Sequence, residues 1–72
     1  MGKVIDDHFL REIAIKLKQF RMEREISQET FYNDTGINIG RIERAKRDFS
    51  MSTLKKICSY LKISPSQFFK DL

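Results

Sequence analysis

Four of the seven residues from 41 to 47 are cations: Arg41, Arg44, Lys46 and Arg47. A guanidinium donates two parallel N–H groups and matches either a phosphate or the O6/N7 edge of guanine. The cluster therefore has the chemistry of a surface laid on a polyanion. The plainer reading is a solvated charged helix face. The same stretch, "TGINIGRIERAKR", also carries Ile39, Ile42 and one acid, Glu43. At helical spacing these three fall at i, i+3 and i+4 and share one side. Gly40, Arg41 and Arg44 are then expected to face the other way.

No other grouping promises chemistry. His8 precedes the core stripe, belongs to no catalytic set, and reads as a surface or capping-region residue. One cysteine and one histidine make no metal-ligand cluster, so no metal is expected. Cys58 cannot form an internal disulfide and fits a reducing compartment. Asp6 and Asp7 adjoin each other but suit a helix N-terminus. With no nucleophile–base–acid set and no phosphate loop, the expectation is no enzyme and no cofactor.

The totals are those of a single globular domain of 72 residues, 40% hydrophobic and 33% charged. A chain this short buries a modest share of its surface and needs well-made helices or a partner. The net charge of +4 and pI of 9.5 are compatible with nucleic acid without requiring it. No apolar run approaches the roughly 20 residues of a membrane span. The start, "MGKVIDDHFLRE", turns acidic where a signal peptide needs an apolar core, and "MGKVID" is a poor myristoylation site.

Turn and cap residues divide the chain into five helical pieces, and no segment alternates like a strand. The first spans about 7–24, with Phe9, Ile13, Leu17 and Phe20 as one apolar stripe. Ile15 and Met22 fall on its opposite face, as surface apolar residues or as part of a partner contact. The second, 27–35, has Ser27 as N-cap, Ile26 and Phe31 as a hydrophobic staple, and Gly36 as a left-handed stop, with Asn33 as a rival stop. The third, 38–46, starts at Asn38. The fourth, 51–61, follows Ser50 and buries Leu54, Ile57, Cys58 and Leu61. The fifth, 65–71, has Ser64, Pro65 and Gln67 as its start signals and repeats the staple with Ile63 and Phe68. Phe69 and Leu72 extend its apolar face, toward the core or toward a second copy of the chain.

Two short helices around a glycine-containing turn outline a helix-turn-helix. From Ile13 to Phe69, about four-fifths of the chain, the wording resembles the Cro/C1-type (Xre-like) helix-turn-helix domain of bacterial and phage transcriptional regulators. "LKQFRMEREISQETF" is similar to that family's first helix and Ser-Gln helix start. "RIERAKR" is similar to its Arg-Ile-Glu-Arg-Gly-Lys-Arg signature, and "MSTLKKICSYLKISPSQFF" to its closing helices. The resemblance implies an all-α, compact five-helix, lambda-repressor-like fold that binds double-stranded DNA.

Residue by residue, it implies an internal ion pair between Arg21 and Glu43. It points to Arg41 as the first candidate for base contact. Asn38 is a second candidate that can equally serve as a cap alone. Phosphate candidates are Gln28, Arg44, Lys46, Arg47, Ser52 and Thr53. A homodimer on a two-fold operator is expected, with Phe69 and Leu72 as a candidate dimer contact and no membrane partner. The expected setting is the cytoplasm, in a bacterial or phage-derived regulator. Phage-type repressors, restriction–modification controllers and antitoxins all remain open.

Two departures stand out. "ETFYNDTGINIG" places 12 residues between Gln28 and Arg41, about one helical turn fewer than the family pattern. Anchoring on Gly36 makes Asn38 the first recognition residue; anchoring on "RIE" gives that role to Thr35, Gly36 and Ile37. The glycine anchor is preferred for its stop and start chemistry. Ala45 replaces the signature glycine, so the third helix is expected to run on to Lys46 or Arg47. The shortening also supports a rival reading: a protein-interaction module on the same fold that has lost groove readout.

Overall fold

Serine and asparagine side chains start four of the five helices seen in the described residues, 7–45 and 49–70, of this computed structural model. The helices are α1 (Asp7–Glu23), α2 (Gln28–Thr35), α3 (Ile39–Glu43), α4 (Met51–Leu61) and α5 (Pro65–Phe69). Ser27, Ser50 and Ser64 accept a hydrogen bond from the third residue beyond, at Thr30, Thr53 and Gln67. Each bond satisfies an amide that the first helical turn leaves without a partner. No strand occurs among the described residues.

The stops are less orthodox. Gly36 ends α2 at φ 76°, with its N–H on Tyr32 O. Glu25, Ala45 and Lys62 adopt the same left-handed region without being glycine. After α1 and α4 the next amide reaches back: Ile26 N donates to Arg21 O, and Ile63 N to Cys58 O. These bonds close carbonyls that would otherwise be orphaned, and they hold Glu25 and Lys62 in place.

The core is built from Ile13, Leu17, Phe31, Ile39, Ile42, Leu54, Ile57, Cys58, Leu61, Ile63 and Phe68. Every helix contributes, and α3 packs on both α1 and α2. Burial raises the Cys58 thiol pKa, consistent with a small apolar core residue. The α1 stripe is narrower than its spacing predicts. Phe9 is 42% exposed and stacks on Phe69, ring centroids 6.5 Å apart. Ala14 and Arg21 take buried places on α1 instead. Ile15 and Met22 lie on the surface.

Candidate nucleic-acid interface

Arg21 is the buried charge around which α1, α2 and α3 meet. It sits on the inner face of α1, where its stem packs like an apolar side chain and its head meets polar partners. Nε donates to Glu43 Oε2 at 2.7 Å and Nη2 to Glu43 Oε1 at 2.9 Å. Nη1 donates to the carbonyl of Ile26 at 2.7 Å, beside the start of α2. The Arg21 and Glu43 side chains are only 10% and 5% exposed. Hydrogen bonding to Glu43, then its charge, raises the arginine pKa despite the opposing effect of burial. The bidentate pair ties α1 to α3.

The same carboxylate holds α2. Gln28 Nε2 donates to Glu43 Oε1 at 3.0 Å. Gly40 is buried, contrary to its expected outward position, and lies beneath the Gln28 side chain. The close approach of α2 turns this face of α3 inward, which helical spacing alone does not reveal.

What remains outward on α3 is basic. Arg41 and Arg44 are exposed, while Ile39 and Ile42 anchor the helix in the core. Asn38 caps α3, its Oδ1 accepting from Arg41 N at 3.3 Å. A base contact by Asn38 would share that oxygen with the cap. Ser52 is exposed at the start of α4, and Thr53 is half-buried with its hydroxyl 3.1 Å from Ser50 Oγ. Phe69 is half-buried between the rings of Phe9 and Phe68. The Lys46, Arg47 and Leu72 assignments lie outside the described residues.

The third helix stops at Glu43, short of its expected end, and Ala45 has already left helical backbone. Arg44 N reaches Gly40 O, and Ala45 N bonds Ile42 O with φ at 56°. Ala45 thus adopts the backbone for which the signature has glycine. Left-handed backbone disfavours a Cβ by roughly 1–2 kcal/mol. Part of that gain is offset in the unfolded chain, where glycine is freer. Ala45→Gly is therefore expected to stabilise the domain by about 0.5–1 kcal/mol. A urea midpoint that falls in this variant would contradict the strain.

Two further ties escape the spacing rules because they join distant segments. Arg24 Nε donates to Leu61 O at 2.7 Å, closing the end of α4, while its guanidinium lies 5.4 Å from the Phe20 ring centroid. Tyr60 donates its phenol to Asp34 at 2.5 Å, which raises the Tyr60 pKa and joins α4 to α2.

A short helix pair, braced from behind and basic on its exposed side, defines the helix-turn-helix class of nucleic-acid-binding domains. The sequence model of the Cro/C1-type HTH DNA-binding domain matches residues 16–71. The chain belongs to that family. Searches of curated proteins and of solved structures return no significant match. No helix of the described residues is long and apolar enough to cross a membrane.

Proposed function

We propose that this protein binds double-stranded DNA at particular sequences and acts as a transcriptional regulator of bacterial or phage type. The observation that carries the reading is the two-sidedness of α3. Ile39, Ile42 and Glu43 fix it to the domain, and Arg41 and Arg44 face solvent. Arg41 reads a base edge, preferably guanine, and Arg44 holds a phosphate, with Lys46 and Arg47 adding to that charge. Ser52 and Thr53 offer lesser phosphate contacts. One domain covers a half-site, so two copies bind a two-fold operator with half-sites roughly 34 Å apart.

Selection of bound sequences from a random duplex pool tests this directly. A site with two related halves is expected. On that site Arg41→Ala should relax preference at one base pair, with a loss of about 1–3 kcal/mol. Arg44→Ala should instead weaken selected and random DNA alike. Equal losses on both DNAs for Arg41→Ala would remove it as a reader.

The five-residue α3 favours one alternative, a protein-interaction module on this fold without groove readout. Such a module would enrich no sequence from the pool.

A further inference from the structure

Gln28 opens α2 with an exposed side chain, yet its amide is turned onto α3. Nε2 donates to Glu43 Oε1, which already accepts from Arg21 Nη2. The carbonyl end lies over Gly40. A Cβ at Gly40 would stand 3.1 Å from Gln28 Oε1, 3.5 Å from Gln28 Cδ and 3.4 Å from Asn38 Oδ1. Among the described glycines only Gly36 has positive φ, so Gly40 is not required by its backbone. Alanine would also be the better helix former. What residue 40 supplies is room.

We propose that Gln28 is a positioning residue for DNA reading. Laid across Gly40 and bonded to Glu43, it fixes the angle at which α3 presents Arg41. The missing Cβ at residue 40 makes that arrangement fit. This rests on the DNA-binding reading above and replaces the expectation that Gln28 serves as a phosphate ligand. One amide N–H is held by Glu43 within the domain, which suits a brace between helices.

The two roles differ in what they do to specificity. Loss of a phosphate contact weakens all sequences alike, whereas loss of a brace misplaces the reader and falls on the selected site. Gln28→Ala is therefore expected to lower the ratio of selected-site to random-DNA affinity by about tenfold, within the range of one base contact. Random-DNA affinity should hardly change. Gly40→Ala pushes the Gln28 amide away while leaving residue 28 intact, and should reproduce the loss. The double variant should be no worse than either single one, because both changes break the same arrangement.

Urea unfolding of the four free proteins supplies a readout that needs no DNA. The methyl added at residue 40 should raise the midpoint more in the Gln28→Ala background, where its obstacle is gone. A uniform loss on both DNAs for Gln28→Ala would make it a phosphate ligand and overturn the proposal. So would equal midpoint shifts from Gly40→Ala in the two backgrounds. If the unaltered protein binds no duplex, the DNA reading fails and Gln28's role in it falls too. The urea comparison then still decides whether the brace exists.

Discussion

Glu43→Ala is expected to destabilise the domain by about 3 kcal/mol, the lower end for stranding one partner of a buried ion pair. The reason is local. Arg21 would keep its bond to Ile26 O but lose both carboxylate acceptors, at a site where little water can replace them. Gln28 would lose its partner in the same stroke. A domain of this size has roughly 4–11 kcal/mol in all. The variant should therefore melt at least about 12 °C lower. Replacing both members, as Arg21→Met with Glu43→Leu, should be milder than the two single losses combined, because no charge is then left stranded. A thermal and urea double-mutant cycle measures this. A Glu43→Ala loss below about 0.5 kcal/mol, the scale of an exposed pair, would contradict the buried-pair account.

Phe31→Ala is expected to be at least as damaging, at about 3–5 kcal/mol. Phe31 is fully buried and is the only buried residue of α2. It also meets the Tyr60 ring edge-on at 4.9 Å. Truncation removes the apolar anchor that holds α2 against α4 and opens a cavity that so short a helix cannot close. Gly36 and Asn38 would then no longer deliver α3 at a fixed place, so DNA affinity should fall with stability. Phe31→Leu, which keeps most of the volume, should cost under about 1.5 kcal/mol. Hydrogen exchange would locate the damage: α2 amides should lose protection in Phe31→Ala before those of α4. A loss under about 1 kcal/mol, the scale of an ordinary substitution, would mean that α2 is held by something other than this ring.

The legible parts of the fold are those whose chemistry is local. Ser27, Asn38, Ser50 and Ser64 announce helix starts because each cap bond spans only three residues. Gly36 announces a stop for the same reason. The ends of α1 and α3 carry no such signal, because Glu25 and Ala45 take left-handed backbone that their side chains disfavour. Only bonds from neighbouring turns hold them there. The meeting of Arg21 with Glu43, 22 residues away, is invisible to periodicity and came from the family resemblance. Helical spacing puts Gly40 outward because a helical wheel cannot show how closely α2 approaches α3. Arg24 on Leu61 O and Tyr60 on Asp34 are illegible in the sequence for the same cause: each depends on where a distant helix lies.

On the proposed function, the outward face of α3 meets duplex DNA. The direct measurement is the affinity of the unaltered protein for mixed-sequence duplex across a series of salt concentrations. Each phosphate neutralised contributes about −0.9 to the slope of log affinity against log salt. With Arg41 on α3, Arg44 at its C-cap, and Lys46 and Arg47 following, a slope of about −2 to −4 is expected. Absence of measurable binding at low salt, or an affinity indifferent to salt, would contradict the account.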